Sequence, residues 1–348
     1  MSTTTGGRLG RLSLVGVAAA GALLLAACGG GGSSSSAAPS TAPSSANSSV
    51  PADAVSVTAM PGSIQLPAGT PGAGKPAIVI GDKNFPEEFV LGELYRQALA
   101  AKGYAVSIKS NIGGSELIDT ALSSNQIQMY PEYLGEIVTS VAKQTNPPTS
   151  ASGTYQAAKQ FEESQRQSTV LLQTPFQDTD TVIVPNAYAQ QHGLAAVGDL
   201  NKVGPGGAGA TIAGPVEFKT RQTGFLGMQQ QYGLTGMGYL PVQAGSQYTA
   251  IDQGTAQAAD AFSTDYQLLS NKYTALADPK GIFGFQYVAP IVKQSVVQSE
   301  GPEFTQTLNW VSSLLSTQAI QALNSAVQGH GAQPADVAGQ FLAANGLK

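Results

Sequence analysis

A stretch of low sequence complexity, residues 29–75, confines any folded body to the rest of the chain. It consists mainly of Gly, Ser, Ala and Pro, with almost no charged or aromatic side chains. Such a segment cannot bury enough apolar surface to offset the entropy of ordering it, so we expect a disordered tether. With roughly 46 residues and random-coil scaling, its root-mean-square reach is about 35–40 Å. About 270 residues remain, enough for one large domain or for two lobes.

The residues before this stretch have the pattern of an export signal. Arg8 and Arg11 supply the positive charge, an apolar segment follows, and small residues come next. The apolar segment is too short and too rich in Ala and Gly for a convincing membrane span. Residues 25–28, Leu-Ala-Ala-Cys, resemble the lipobox of bacterial lipoproteins. That resemblance implies that residues 1–27 are a cleaved signal peptide and that acylated Cys28 anchors an extracytoplasmic protein to the cell membrane.

Cysteine usage and charge exclude several classes of protein. Cys28 is the only cysteine, so the folded part has no disulfide, thiolate nucleophile or cysteine metal ligand. Without Arg8 and Arg11 the 17 basic residues become 15 against 22 acidic ones, a net charge of −7. A mildly acidic chain without a basic block has no footprint for nucleic acid. We therefore expect the lipid, and not a polybasic patch, to hold the protein at the membrane.

The sequence lacks the usual arrangements of catalytic residues. Its two histidines, His192 and His330, lie in polar, loop-like surroundings, which suit neither a metal site nor a Ser-His-Asp arrangement. No Gly-x-Ser-x-Gly elbow occurs. Residues 204–209 match the dinucleotide spacing of glycines, but the segment from Thr211 predicts a strand where that motif needs a helix. We therefore predict no enzyme, no metal site and no cofactor.

The body begins with an α/β pattern. Residues 77–80 form a short apolar run, and Pro86 followed by two glutamates favours the start of a helix. Gly103 suits the left-handed end of that helix, and alternating apolar residues over 104–108 predict a second strand. Repeated units of this kind predict a mostly parallel sheet covered by helices, with ligands bound beyond the carboxyl ends of the strands.

One such unit recurs in the second half of the chain. The helix and strand predicted over 115–133 resemble those over 248–266, and each unit ends in a cluster of aromatic and acidic residues. The first cluster is Tyr130, Glu132 and Tyr133; the second is Phe262, Asp265 and Tyr266. We expect two facing lobes to bring these clusters together; the alternative is that both are strand ends with partly buried rings. The helical pattern of the C-terminal residues predicts packing, with Trp310 in the core.

Six short sequence motifs follow one another along this body. They are Ile80-Gly81-Asp82-Lys83-Asn84-Phe85, Leu91-Gly92-Glu93-Leu94-Tyr95, Asn111-Ile112-Gly113-Gly114, Tyr130-Pro131-Glu132-Tyr133, Pro215-x-Glu217-Phe218-x-x-Arg221 and Ala261-Phe262-Ser263-Thr264-Asp265. Together they resemble the glycine betaine, carnitine and choline binding proteins of osmoprotectant ABC transporters. The resemblance covers residues 76–348.

This resemblance implies the fold and the partners. It implies an α/β, two-lobed periplasmic-binding-protein-like fold of type II, with each lobe a mostly parallel sheet flanked by helices. Residues 76–179 and 288–348 would form the first lobe and residues 180–287 the second, joined by hinge strands near 178–184 and 285–291. We expect a monomer that takes a small zwitterionic or cationic solute and works with the permease of an ABC importer.

The resemblance also implies a site. Tyr133, Phe262 and Tyr287 fall on positions where the family places rings around a quaternary ammonium, and Lys83 and Arg221 fall on positions that hold a carboxylate. Ring faces attract a diffuse cation, and a methylated nitrogen has no hydrogen-bond donors to satisfy.

Three acids complete the predicted site: Glu136, Asp178 and Asp180. Two of them depart from the family pattern, because Asp180 stands where a further cage tyrosine aligns and Glu136 where a small hydroxyl residue is common. An acid there holds the cation directly or pairs with Lys83 or Arg221 and weakens their grip on a carboxylate.

The residues leave three alternatives open. The acids Asp180 and Glu136 could retune the same cleft toward an amino acid, a polyamine or another polar or aromatic solute. A surface lipoprotein with a structural or adhesive role would not need paired clusters in a cleft. A lipid-anchored hydrolase would need an activated nucleophile, which the sequence does not offer.

Overall fold

The computed structural model describes residues 64–243 and 245–347. The predicted signal peptide, Cys28 and most of the predicted tether lie outside the described residues. The described end of that tether, residues 64–75, packs on the body: Ile64 and Leu66 contact its largest apolar core, and the backbone N–H of Gly72 donates to the carbonyl of Lys102 over 2.9 Å. The folded body therefore begins before the first predicted strand, because the side chains of Ile64 and Leu66 pack against its core.

The described residues form two sheets of five strands each. In chain order the strands are β1 (Ile78–Gly81), β2 (Val106–Lys109), β3 (Met129–Tyr133), β4 (Ser168–Val170), β5 (Asp180–Pro185), β6 (Thr211–Gly214), β7 (Gly238–Pro241), β8 (Ala258–Phe262), β9 (Tyr273–Ala275) and β10 (Val288–Lys293). The first sheet has the order β2-β1-β3-β10-β4, and the second has the order β7-β6-β8-β5-β9. We call each sheet with its packed helices a lobe.

Both sheets are mixed, but four of the five strands in each run in the same direction, in line with the prediction of mostly parallel sheets. In the first, β1 runs parallel to β2 and β3, whereas β10 runs antiparallel to β3 and β4. In the second, β6 runs parallel to β7 and β8, whereas β5 runs antiparallel to β8 and β9. The antiparallel strand in each sheet is the one that follows a crossing between the lobes, so it enters its sheet from the opposite end.

Helices cover both sheets. Those of the first lobe are α1 (Pro86–Ala101), α2 (Ser115–Ser123), α3 (Leu134–Glu136), α4 (Ala151–Phe161), α9 (Gln294–Glu300), α10 (Pro302–Leu314), α11 (Thr317–Asn324) and α12 (Pro334–Ala344), and those of the second are α5 (Asn186–His192), α6 (Val216–Thr220), α7 (Phe225–Tyr232) and α8 (Gln247–Asp252). Turns of π-helix extend α3, α4 and α11. No helix within the described ranges is long and apolar enough to span a membrane.

Helix α1 shows why the sequence pattern succeeds at the start of the body. Pro86 occupies its first turn, where a missing N–H costs nothing, and Glu87 and Glu88 follow. Gly103 adopts the left-handed conformation just beyond the helix, with φ of +83°. The buried face, including Leu91 and Leu94, packs in the core that also contains Trp310, which is buried as predicted.

The chain crosses between the lobes twice, and the two crossing segments pair with each other. Gln177 and Tyr287 form an isolated antiparallel bridge, and the N–H of Asp178 donates to the carbonyl of Gln286 over 3.0 Å. The first crossing ends before the predicted segment does, because β5 begins at Asp180 inside the second sheet. The pairing fixes where the facing ends of the two sheets meet.

We predict that Gly227→Ala destabilises the second lobe. A Cβ at this position of α7 would lie 2.0 Å from the carbonyl oxygen of Gln222, and this backbone atom cannot rotate away. The free energy of unfolding, measured by urea titration, should fall by about 1–3 kcal/mol. Gly339→Ala in α12 is the matched control, since its Cβ would meet only the end of the Gln97 side chain. It should keep or raise stability; equal stability of both variants would contradict the prediction.

Candidate functional site

A cavity of about 820 Å³ lies between the two lobes. Its walls combine aromatic rings with charged side chains from both sheets. The rings are Phe85, Tyr133, Phe262, Phe283 and Phe285, and the charged residues are Lys83, Glu116, Glu136, Asp178, Asp180 and Arg221. Residues 147–149, from the loop before α4, close one side. This size suits a small-molecule site.

The structure brings seven of the eight predicted site residues to this cavity. They are Lys83, Tyr133, Glu136, Asp178, Asp180, Arg221 and Phe262. One ring from each predicted aromatic–acid cluster, Tyr133 and Phe262, therefore reaches the same cavity. The other members of the clusters lie elsewhere; Asp265, for example, accepts hydrogen bonds from the N–H of Phe262 and the hydroxyl of Tyr248.

Tyr287 is the exception, which corrects its placement in the cage. It does not line the cavity and packs instead against the apolar cluster that contains Tyr130 and Ile291. Side chains alternate between the faces of a strand. Val288, directly opposite Tyr133 in the pairing of β10 with β3, shares the face of Tyr133, so its neighbour Tyr287 lies on the other face.

Lys83 lies between carboxylates and a ring. It is only 3% exposed and forms an ion pair with Glu132, and its Nζ lies 3.9 Å from Oε1 of Glu88. The same Nζ lies 4.2 Å from the centroid of the Tyr133 ring. One ring face of the predicted cage is thus covered by a cation that belongs to the protein.

Burial and neighbouring charges together determine the protonation of Lys83 and Glu88. Burial lowers the pKa of the Lys83 ammonium, but the charges of Glu132 and Glu88 outweigh it, and the pKa is raised above its ordinary value. Burial raises the pKa of Glu88 to about 8, against the opposing effect of Lys83. At neutral pH Glu88 is therefore largely protonated. Burial also raises the pKa of Glu132, but Lys83, its ion-pair partner, opposes this rise.

Arg221 also has a partner from its own chain. Its Nη2 donates to both carboxylate oxygens of Asp180, over 3.0 and 3.1 Å. The carboxyl group of Asp260, which is 2% exposed, lies near this pair. Burial and the neighbouring Asp180 raise the pKa of Asp260 to about 9. Asp260 is therefore largely protonated at neutral pH, and Asp180 is the acid that pairs with Arg221.

Glu136 links the cavity to the second crossing. Its Oε2 accepts from the hydroxyl of Ser140 over 2.6 Å, and its Oε1 accepts from Nε2 of Gln286 over 3.1 Å. The N–H of Glu136 donates in turn to Oε1 of Gln286 over 3.1 Å. Gly135 makes room for this contact, because a Cβ there would lie 2.5 Å from the same oxygen.

Buried polar contacts join the lobes behind the cavity. The side-chain amide of Asn324, in α11, donates to Glu87 over 2.7 Å and to the carbonyl of Thr264 over 3.1 Å. The hydroxyl of Thr264 donates to Asp178 over 2.8 Å, and that of Tyr133 donates to Glu87 over 2.6 Å. Burial, followed by the nearby Glu87, raises the pKa of Asp178 well above its ordinary value.

The sequence reasoning missed three of the five rings. Phe85 directly precedes the helix start at Pro86, and its position beside Lys83 was a usable signal. Phe283 and Phe285 flank Gly284, and both Gly281 and Gly284 have positive φ. A glycine-punctuated aromatic run between two strands is a segment able to turn rings toward a site. Within the described part of the chain, no cluster of His, Cys, Asp and Glu has the arrangement of a metal site.

Comparisons with known proteins agree on one family. A family model described as the substrate binding domain of ABC-type glycine betaine transport system matches residues 76–344. A glycine-betaine-binding protein of Pseudomonas aeruginosa is 30% identical over 272 residues, which cover 76% of this chain and 86% of that protein. The glycine betaine-binding protein YehZ of Escherichia coli is 25% identical over 77% of this chain and 90% of its own.

A solved structure shows the same fold. The crystal structure of a glycine betaine/carnitine/choline ABC transporter protein superimposes with a TM-score of 0.71 at 22% identity, covering 76% of this chain and 97% of that one. The predicted two-lobed fold of type II is thereby confirmed, with mixed sheets.

We predict that Lys83→Met destabilises the protein in a pH-dependent manner. When folding raises the pKa of a carboxyl group, the protonated group stabilises the folded state at low pH. That contribution is lost as the pH rises from the pKa in the unfolded state to the pKa in the folded state. Burial raises the pKa of Glu132 from its ordinary value of 4.5, and Lys83 opposes that rise. Removing Lys83 raises this pKa further, so the folded variant must hold a proton that the unfolded chain releases, and holding it costs more as the pH rises. The free energy of unfolding should therefore fall by about 3 kcal/mol at pH 8 and by less at pH 5.

Urea titrations of wild type and variant at both pH values measure this difference. Lys272→Met, which changes an exposed lysine, should alter stability little at either pH. A loss of equal size at pH 5 and pH 8 would show that Lys83 acts by packing and not by charge.

Proposed function

Because this chain belongs to the family of substrate-binding domains of ABC-type glycine betaine transport systems, we propose that its interlobe cavity captures a small quaternary amine or betaine-type osmoprotectant and delivers it to the permease of an ABC importer. The family is one of binding domains, so the chain is not an enzyme. The observation that carries the proposal is a single cavity that combines five aromatic rings with four carboxyl groups.

The chemistry of the walls suits a methylated ammonium group. Such a group spreads its charge over methyl groups and has no N–H to satisfy, so ring faces and carboxylates recognise it without matching hydrogen bonds. Phe262, 43% exposed at the end of β8, offers an open ring. Glu136 offers a carboxylate whose hydrogen-bond donors, Ser140 and Gln286, are both neutral.

The names of relatives support this class of solute. The matched proteins of Pseudomonas aeruginosa and Escherichia coli are named for binding glycine betaine, and another relative, from Listeria monocytogenes, is named as a carnitine transport binding protein. These solutes share a quaternary ammonium group, which is the part of the ligand that rings and carboxylates recognise.

The remaining parts of the proposal concern the lipid anchor and the domains. Acylated Cys28 would hold the protein at the outer face of the cell membrane, and the tether after it would keep the body near the permease. We further propose residues 76–179 with 288–348 as one lobe, residues 180–287 as the other, and a monomer as the working form.

A calorimetric titration with glycine betaine, carnitine and choline tests the function. At least one of the three should bind the purified protein, and at a hundredfold excess over Kd it should stabilise the fold by about 2.7 kcal/mol. Absence of binding by all three, in a protein shown to be folded, would contradict the proposal.

The variant Phe262→Ala tests the site. Loss of one ring face should cost about 1–2 kcal/mol, a roughly fivefold to thirtyfold weaker affinity, with little effect on stability because the ring is half exposed. Leu269→Ala is the matched control, since this apolar side chain is 40% exposed in the same lobe but does not line the cavity. Equal affinities of the two variants would remove Phe262 from the binding site.

A further inference from the structure

Both basic side chains of the cavity are already engaged by acids of the protein. Lys83 pairs with Glu132 and is almost completely buried. Arg221 pairs with Asp180 through Nη2. Among the residues that line the cavity within the described ranges, no other lysine or arginine occurs. A ligand carboxylate therefore finds no cation that lacks a carboxylate partner.

The partner of Arg221 is held rigidly. Asp180 opens β5 and lies directly opposite Phe262 of β8, and Asp260 precedes Phe262 by two residues, on the same face of that strand. Asp180 is 9% and Asp260 2% exposed. Burial and the neighbouring Asp180 raise the pKa of Asp260 to about 9, so at neutral pH the negative charge lies on Asp180, which faces the positive charge of Arg221.

The charge that remains on the cavity wall is negative. Glu136 accepts only from the neutral groups of Ser140 and Gln286, and Glu116 lines the wall at the start of α2 without an ion pair within the described part of the chain. A solute with a net positive charge gains from this field. A solute with an ionised carboxylate gains at its ammonium end but brings its anionic end close to Asp180.

We propose that Asp180 sets the specificity of this site by neutralising Arg221, so that it selects quaternary ammonium solutes with an uncharged, hydroxyl-bearing tail over those with a carboxylate. This inference rests on the proposed function and specifies its ligand class. A hydroxyl tail can donate to the oxygens of Asp180 while Arg221 remains paired. A carboxylate tail must instead compete with Asp180 for the same guanidinium and meets a like charge beside it.

Choline and glycine betaine are a matched pair of probes, because both carry a trimethylammonium group and differ in a hydroxymethyl or a carboxylate end. By titration calorimetry at neutral pH, wild type should bind choline at least tenfold more tightly than glycine betaine. Asp180→Asn keeps the shape of the side chain and removes its charge, which leaves Arg221 uncompensated. The ratio of the two dissociation constants should then shift at least tenfold toward glycine betaine.

Two further variants separate the specificity of Asp180 from general effects. Glu136→Gln, the same acid-to-amide change in the same cavity, should weaken both ligands to a similar degree and leave their ratio unchanged. Arg221→Gln changes a 43% exposed side chain, so it should fold, and it should leave the preference for choline intact or stronger. If Arg221 held a ligand carboxylate, this variant would instead lose glycine betaine selectively.

The outcomes distinguish the inference from the proposed function. A wild-type preference for glycine betaine, or an unchanged ratio in folded Asp180→Asn, overturns the specificity inference while binding of either ligand upholds the function. A folded wild-type protein that binds neither choline, glycine betaine nor carnitine overturns the function itself.

Discussion

The pairing of the two crossing segments determines where everything else in this molecule can lie. Gln177 and Tyr287 bridge these segments, and Asp178 and Gln286 share a backbone hydrogen bond beside them. The segments lead directly into β5 and β10, whose residues Asp180 and Val288 face the cavity rings of the neighbouring strands. The cavity therefore forms next to the place where the two crossing segments are hydrogen-bonded to each other, and this pairing positions its walls.

Local patterns in the sequence were sufficient for much of the fold. Pro86 and Gly103 bracket a helix because their effects on the backbone act within one or two residues, and the segment from Thr211 forms the expected strand. The one reversed strand of each sheet, β5 or β10, was not predicted, because its direction depends on where the chain crosses between the lobes, and no short stretch of sequence shows that. The position of Tyr287 failed for a related reason: a shift of one residue along a strand moves a side chain to the opposite face.

The sequence indicated which residues lie together at the site, but not how their side chains are paired or protonated. The motifs assigned Lys83, Arg221 and Phe262 to one binding site; all three line one cavity, and their role in binding is a proposal. They did not reveal that Lys83 covers the ring of Tyr133, or that a largely protonated Asp260 lies beside the pair of Asp180 with Arg221. Such states depend on burial and on distances between residues far apart in sequence. Both cations of the cavity, Lys83 and Arg221, are paired with acids of the protein. A ligand therefore meets the negative charge that remains on the cavity wall after these pairs are made.

The position of β10 also constrains how the chain reaches its native state. This strand lies inside the first sheet, between β3 and β4, yet it is the last strand in the sequence. The first sheet cannot be completed until the whole of the second has been synthesised, whereas β5 to β9 form a continuous segment that can fold on its own contacts. Non-local strand pairing of this kind slows folding and leaves an unfilled gap with two open strand edges while the chain is incomplete. This topology favours early formation of the second lobe, and the first sheet is completed only when the late interior strand β10 inserts between β3 and β4.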